Sequence, residues 1–281
     1  MTETELKDAL REENAEMPQH PELCWDMLEH IGSTDPELRD TLIYELLASW
    51  IEAGAYSQET MRRMMAICLD EGHIRFHLGA RCDDSVFTRT FSSLIIAALL
   101  DRHLQEPYLT AEEITSVAGT LTECIGKEAD IRGYVEGKGW AHAIAHISDA
   151  ASALIHCPET SREQAAAIVH ALTARIARSK ESYLDGEERR AAVALKALCR
   201  RGFWTDDEWI GFIREVYANC RSGAPNDIAR CRRVESVRRL YMALYFDLRS
   251  EGIGAVVADA IEQVMKVNWK RQRAASVREN R

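Results

Sequence analysis

Apolar residues recur at helical spacing along almost the whole chain. Leu42, Leu46 and Trp50 follow one another at four-residue intervals, as do Phe87 and Phe91. This spacing places apolar side chains on one face of an α-helix, and no segment shows the alternation typical of a half-buried strand. The sequence therefore predicts an all-α fold of about 12 helices. The predicted helices span residues 3–15, 20–32, 35–53, 57–72, 84–104, 110–126, 138–157, 161–180, 186–201, 205–221, 225–249 and 254–272.

The starts of alternate helices share a pattern that indicates a repeat. Ser57, Thr110 and Thr205 each stand between an apolar residue and a further apolar residue at the fourth helical position, and the last two have glutamate at the third. Such caps and staples fix the angle at which the chain enters a helix. With a fourth cap at Ser161, the caps are separated by 53, 51 and 44 residues. Helical hairpins of HEAT-like α-solenoids repeat every ~40–50 residues, so we expect such an array. A compact, non-repeating helical domain is the alternative.

Composition and charge are those of one soluble globular domain spanning residues 1–281. Hydrophobic residues make up 46% of the chain and charged residues 28%. Residues 1–40 form predicted acidic helices with twelve acids and three bases, whereas the tail at about 270–281 is basic. The net charge of −10 argues against nucleic-acid binding, which needs a basic surface. We therefore interpret the basic tail as solvated charge at a helix C-terminus.

The expected location is the cytoplasm, without membrane association. The first residues are acidic and contain no apolar signal segment, and the longest apolar run, Leu94–Leu100, is far shorter than the ~20 residues that cross a bilayer. The eight cysteines are scattered singly, which is typical of buried thiols in a reducing compartment. No cofactor motif is identified.

The segment from 130 to 157 concentrates the candidate chemistry. It holds three glycines, a tryptophan, a lysine, three histidines and two aspartates. A helical wheel separates an apolar face from a polar one with small flanking residues. The apolar face carries Trp140, Ile144, Ile147, Ala151, Leu154 and Ile155, and the opposite face carries His142, His146, Asp149 and His156. The small flanks would let a ligand or another helix approach the polar face closely.

Three roles remain open for this polar face. His142 and His146, four residues apart, could both ligate a divalent metal, although Ala143 stands where zinc proteases of this spacing carry their glutamate base. Alternatively, Asp149 could orient His146 for acid–base chemistry, with cationic residues and the helix N-terminus attracting an anion. The third role is structural, because histidines on a packed helix are often hydrogen-bonded core residues.

Further polar residues complete the candidate site. Arg89 lies amid apolar residues and would need a carboxylate partner if buried. Glu235 and Arg239 have the spacing of a surface ion pair, or the arginine could face the histidine helix. The candidate ligand-binding residues are Arg89, Arg132, Tyr134, Glu136, Lys138, Trp140, His142, His146 and Asp149.

Four segments of the chain resemble a known bacterial family. The segment DIRGYVEGKGWAHAIAH (130–146) and those at 85–94, 187–195 and 239–248 are similar to the family of domain of unknown function 2785. The chain departs from the expected pattern at Ile147, where that family is expected to have glycine. The resemblance implies an all-helical, HEAT-like fold, and it supplies no catalytic residues because no activity is established for the family.

Two functions follow from these observations. The first is a helical-repeat binding protein that recognises a protein partner or a small acidic ligand through the surface formed by residues 130–149. The alternative is a hydrolase-like enzyme that uses His142, His146 and Asp149, with a divalent metal as an option. The sequence does not predict an oligomeric state.

Overall fold

The computed structural model describes residues 1–266, and α-helices dominate that range. The α-helices are α1 (Glu3–Arg11), α2 (Cys24–Glu29), α3 (Leu46–Glu52), α4 (Gln58–Cys68), α5 (Ser85–Gln105), α6 (Ala111–Lys127), α7 (Ala143–His156), α8 (Arg162–Arg178), α9 (Glu187–Arg201), α10 (Asp206–Cys220) and α11 (Ile228–Glu251). A 3₁₀ turn at Pro21–Leu23 leads into α2, a π-helical stretch at Glu37–Glu45 leads into α3, and residues 255–266 are also helical. The all-α prediction is confirmed. The predicted basic tail at 270–281 lies outside the described residues.

Polar N-caps explain where four of these helices begin. Ser57, Thr110, Ser161 and Thr205 each accept a hydrogen bond from the backbone N–H of the third helical residue. This bond satisfies one of the donors that a helix start leaves without an internal partner. All four predicted caps are confirmed. Gln164 completes a further capping box at Ser161, where the sequence indicated only a cap.

A short β-hairpin precedes α7 and corrects the prediction of a helix from residue 138. Strands β1 (Tyr134–Val135) and β2 (Gly139–Trp140) pair in antiparallel fashion, with Tyr134 opposite Trp140. Gly139 has φ +78°, a left-handed conformation that favours glycine. A Cβ at this glycine would also lie 3.0 Å from Nη2 of Arg39. Trp140 therefore belongs to the hairpin, and its assignment to the apolar face of a helix was wrong.

The helices from α3 onward form two rows. In the first row α3, α5, α7, α9 and α11 lie side by side in chain order, and in the second α6 packs on α8 and α8 on α10. Neighbours in the first row run parallel. Arg190 near the start of α9 binds Asp149 of α7, and Arg201 at the end of α9 donates to the carbonyl oxygen of Ile155 at 2.7 Å. From α5 onward, consecutive helices thus alternate between the rows.

Helix α7 lies at the centre of this packing. All of its residues except Asp149 and His156 are buried, and its main neighbours in the first row are α5 and α9. The main hydrophobic core extends from Leu6 to Ile261 and includes most apolar side chains of α7, whereas Ala143 packs in a smaller cluster with Phe87. The polar face predicted for this helix is therefore covered largely by other helices. Within residues 1–266, we find no helix that combines the length and the hydropathy needed to span a membrane.

Candidate functional site

A buried arginine anchors the β-hairpin to the rest of the fold. Arg39 is fully buried and donates to the carbonyl oxygens of Ser33 at 2.6 Å and of Lys138 at 2.7 Å. Its guanidinium lies over the rings of Phe87 and Phe91, with distances of 4.2 and 4.7 Å to the ring centres. An ion pair with Asp40 at 2.7 Å adds to these contacts and stabilises the buried guanidinium, although its Nε has no hydrogen-bond partner among the described residues. The sequence analysis gave Arg39 no role, although a charge beside apolar helix positions was a usable signal.

His142 connects the hairpin to α7 in a strained conformation. It is the N-cap of α7 and has φ 46° and ψ 40°, the left-handed region that costs a non-glycine residue ~1 kcal/mol. Its backbone N–H donates to the carbonyl oxygen of Arg132 at 3.1 Å. Its ring packs on Trp140, with 4.3 Å between ring centres, and Trp140 in turn contacts the ring of Tyr134. The two outer rings are exposed, so the imidazole lies just beneath an aromatic surface patch.

The side chain of His142 faces two carboxylates from the start of α9. One potential ligand atom from each of His142, Asp185 and Glu187 lies within 4.8 Å of the others. Nε2 of His142 is 3.8 Å from Oε1 of Glu187, and among the described residues both atoms are buried without a hydrogen-bond partner. We call these three residues the histidine–carboxylate cluster. Neither carboxylate was predicted from the sequence, because acidic residues just before and within the first turn of a helix are ordinary.

The environment shifts the pKa values of Glu187 and His142 in opposite directions. Burial raises the pKa of Glu187, and the negative charges of Glu188 and Asp185 add to the shift while backbone hydrogen bonds oppose it. Burial lowers the pKa of His142, and the charge of Asp185 opposes this shift. A neutral imidazole with a free nitrogen is the form that ligates a metal.

His146 lies one turn further along α7 and outside the histidine–carboxylate cluster. Its ring centre is 5.7 Å from that of His142 and 5.3 Å from that of Phe91, both in edge-on arrangements. Burial lowers the pKa of His146 well below its usual value, and the charges of His142 and of two arginines act in the same direction. Of the two histidines predicted as metal ligands, the fold therefore brings His142 to the carboxylates and holds His146 as a neutral core residue.

Asp149 does not orient His146, and this part of the prediction was wrong. Both carboxylate oxygens of Asp149 instead accept hydrogen bonds from Arg190 of α9, and the distance from Nε to Oδ1 is 2.8 Å. Two parallel bonds of this kind match the planar fork of the guanidinium. The partner comes from α9 because α7 and α9 run side by side, an arrangement that local spacing does not reveal.

The cations expected to attract an anion are already paired. Arg132 donates from Nε to Asp130 at 3.0 Å, and Lys138 forms an ion pair with Asp84. Glu136 lies exposed in the hairpin turn beside this second pair. Neither cation is therefore positioned as an uncompensated charge for an acidic ligand.

Arg89 is buried, and its expected carboxylate partner is Glu128. The guanidinium donates to both oxygens of Glu128, at 2.8 and 3.0 Å. The predicted need for a partner is confirmed, and the ion pair places Arg89 in the packing between α5 and the end of α6. Arg239 of α11 lies 3.3 Å from Glu188 of α9, so its ion-pair partner is Glu188.

An open cavity adjoins the polar side of α7. Its volume is about 620 Å³, and it lies between α5, α7, α9 and the helical segment that contains α3. The polar face predicted for α7 supplies Asp149, Ser152 and His156 to its wall, and Arg190 of α9 lines it too. The arginines expected from the sequence, Arg89 and Arg239, are not among the lining residues. The predicted polar face thus borders a cavity, but with different charged neighbours.

The wall of this cavity carries one more negative charge than positive charges. Its wall contains three carboxylates, those of Glu52, Asp101 and Asp149, and two arginines. Arg190 is bound to Asp149, and Arg102 is bound to the glutamate at the end of α5. Within the described part of the chain, Glu52 and Asp101 have no hydrogen-bond or ion-pair partner. Asp101 and Glu52 are both exposed, but partial desolvation still raises the pKa of Asp101, and the negative charges of Asp149 and Glu52 contribute further.

One model of a known protein family matches this chain. Residues 74–246, more than half of the chain, match the model described as protein of unknown function (DUF2785). The chain belongs to this family. The matched range contains the hairpin, α7 and the start of α9, and therefore the histidine–carboxylate cluster. Comparison with curated proteins and with solved structures gave no match. The DUF2785 description carries no activity, so the function must be argued from the geometry.

Proposed function

We propose that this DUF2785 protein is a cytoplasmic binding protein, built as one HEAT-like helical-hairpin domain, that takes a small cationic ligand into the cavity beside α7. The two rows of helices support the architecture, because α3, α5, α7 and α9 of the first row all contribute residues to the wall of one cavity. Arrays of helical hairpins use such surfaces for binding. The single observation that carries the proposal is the cavity with unpaired Asp101 and Glu52 in its wall.

The size of the cavity favours a small molecule over a protein partner. A volume of about 620 Å³ lies within the range of roughly 300–1,000 Å³ that small-molecule sites occupy. Alanines 48, 97, 98 and 153 line it beside the polar groups and leave room between the helices. Ser152 and Gln105 add hydrogen-bonding groups that would fix the orientation of a ligand.

The charge of the cavity favours a ligand that carries an amino group. Asp101 and Glu52 repel each other and Asp149, and a bound ammonium would relieve this repulsion. Tyr44 lines the same cavity, and its aromatic ring is a group that stabilises a nearby cation. The sequence predicted an acidic ligand, on the expectation that Arg132 and Lys138 would attract it. Both cations are paired with carboxylates, so this reason for an acidic ligand no longer applies.

Isothermal titration of the full-length protein with 1,4-diaminobutane and with glutarate tests this proposal. We expect the diamine to bind and the diacid not to bind. Asp101→Asn should weaken the binding of the diamine by about tenfold or more, because it removes a charge-assisted hydrogen bond. Asp207→Asn, an exposed carboxylate of α10, is the matched control and should leave the affinity unchanged. Binding of glutarate alone would contradict the charge assignment.

A metal-dependent, hydrolase-like activity is the second candidate. The observation that favours it is the histidine–carboxylate cluster, which replaces the predicted set of His142, His146 and Asp149. Hydrolysis of p-nitrophenyl phosphate by the Zn²⁺-loaded protein, compared with that of Glu187→Gln, tests this alternative. Equal rates for the two proteins would rule out a role for the cluster in this reaction.

A further inference from the structure

We infer that the histidine–carboxylate cluster of His142, Asp185 and Glu187 binds one divalent transition-metal cation. The three residues come from two separate elements, the entry to α7 and the start of α9, and converge on one point. Glu187 is only 1% exposed, and its Oε1 is buried without a hydrogen-bond partner while facing Nε2 of His142. A buried carboxylate oxygen without a hydrogen-bond donor is costly unless a cation satisfies it.

The distance between these two atoms fits a shared ion better than a direct hydrogen bond. At 3.8 Å, Nε2 of His142 and Oε1 of Glu187 are too far apart for a hydrogen bond. Metal–nitrogen and metal–oxygen bonds of about 2.0–2.2 Å place two ligand atoms of a tetrahedral ion about 3.4 Å apart, so these two atoms need to approach by only a few tenths of an ångström. Asp185 is exposed, and one of its carboxylate oxygens already lies within 4.8 Å of the other two ligand atoms, so only a small shift brings it onto the ion.

Backbone hydrogen bonds hold the carboxylates in place and leave one oxygen of Glu187 available. Oε2 of Glu187 accepts from the backbone N–H of Asp185 at 3.1 Å, and Oδ2 of Asp185 accepts from the N–H of Tyr134 at 3.1 Å. Such outer hydrogen bonds orient metal ligands and tune their affinity. Gly133 makes this approach feasible, because a Cβ there would lie 2.0 Å from Oδ2 of Asp185.

The donor atoms of the cluster favour a metal ion of intermediate softness. One imidazole and two carboxylates suit Zn²⁺ or Mn²⁺, whereas thiolate sites favour softer ions and all-oxygen sites favour Ca²⁺ or Mg²⁺. Three protein ligands with an exposed member leave a coordination position for water, as in catalytic zinc sites. Exposed Tyr134 and Trp140 lie beside this open side.

Isothermal titration of EDTA-treated, untagged full-length protein with ZnCl₂ and MnCl₂ tests the site. We expect one ion per chain, and His142→Ala and Glu187→Gln should each weaken binding by at least about tenfold. His156→Ala, at the other end of α7, is the matched histidine control and should retain the affinity of the natural protein. Mn²⁺ avoids interference from the exposed thiols of Cys82 and Cys231.

A variant that removes no ligand separates metal binding from a general loss of structure. Gly133→Ala should push Asp185 away and weaken Mn²⁺ binding by at least about tenfold, while circular dichroism stays that of the natural fold. Absence of one-per-chain binding, or equal affinity in Glu187→Gln, would overturn the inference. Asp101→Asn should leave Mn²⁺ binding intact. The test of the metal site is therefore independent of the test of the cavity ligand.

Discussion

Arg190 of α9 donates to both carboxylate oxygens of Asp149 of α7, and this ion pair lies between two potential sites. On one side of it, Glu187 belongs to the histidine–carboxylate cluster. On the other side, both residues of the pair line the cavity of about 620 Å³. Because α7 and α9 run parallel, successive turns of the two helices supply first the cluster and then the cavity. The pair fixes the relative position of the two helices and therefore of the two sites.

Replacement of Asp101 should stabilise the ligand-free protein. Asp101→Asn removes a charge that lies near Asp149 and Glu52, and we expect a gain of about 0.5 kcal/mol after solvent screening. Residues that serve binding are often unfavourable for stability in the absence of the ligand. Chemical denaturation measures the change. Asp207→Asn is the control and should slightly reduce stability, because that aspartate lies in the first turn of α10. A destabilised Asp101→Asn protein would argue against repulsion in the cavity.

The left-handed backbone conformation of His142 predicts that glycine is a better replacement than alanine at this position. In the left-handed conformation glycine is favoured over alanine, so His142→Gly should be more stable than His142→Ala by about 1 kcal/mol. Within the regular helix at Ala145 the order should reverse, since Ala145→Gly costs stability there. Urea denaturation of the three variants gives the comparison. Equal stability of the two His142 variants would show that this backbone conformation is not retained.

The positions of the helices could be predicted from the sequence, because each helix depends mainly on residues close to it in the chain. The cap at Thr110 and the apolar stripe that begins at Leu42 are set by neighbours within one or two turns. Because Arg89 is buried, a carboxylate partner could be predicted for it. That this partner is Glu128 depends on how α5 packs against the end of α6. Helix positions were therefore predictable, while charged partners across helices were not.

The functional site was only half predictable for the same physical reason. His142 stood out in its segment, but a helix was predicted to begin at residue 138, and the residues just before His142 instead form a hairpin. Asp185 and Glu187 resemble ordinary acidic residues at a helix start, so nothing local distinguishes them. Only the packing of α9 against α7 brings them to the imidazole.

Buried His146 should make stability depend on pH. Its pKa is lowered well below the usual value by burial and by neighbouring positive charges, so the folded protein keeps it neutral while the unfolded chain takes up a proton below a pKa of about 6.5. The stability that the neutral form of His146 contributes to the folded protein is therefore present above a pH of about 6.5 and is lost as the pH falls. Between about pH 7.5 and about pH 5.5, this residue alone should cost about 1.4 kcal/mol.

Comparison with His146→Phe isolates this effect. Unfolding free energies of both proteins are measured in EDTA, so that no metal ion competes for the neighbouring imidazole. Over that pH range the variant should lose about 1.4 kcal/mol less than the natural protein. Parallel losses in the two proteins would show that His146 is not held neutral in the fold.

The most direct test of the central claim is a crystal structure of the full-length protein with 1,4-diaminobutane. We predict that an ammonium group lies within hydrogen-bonding distance of Asp101, between α5 and α7, with the ring of Tyr44 beside it. A diamine bound only elsewhere on the protein, or a cavity that contains none at a saturating concentration, would contradict the account.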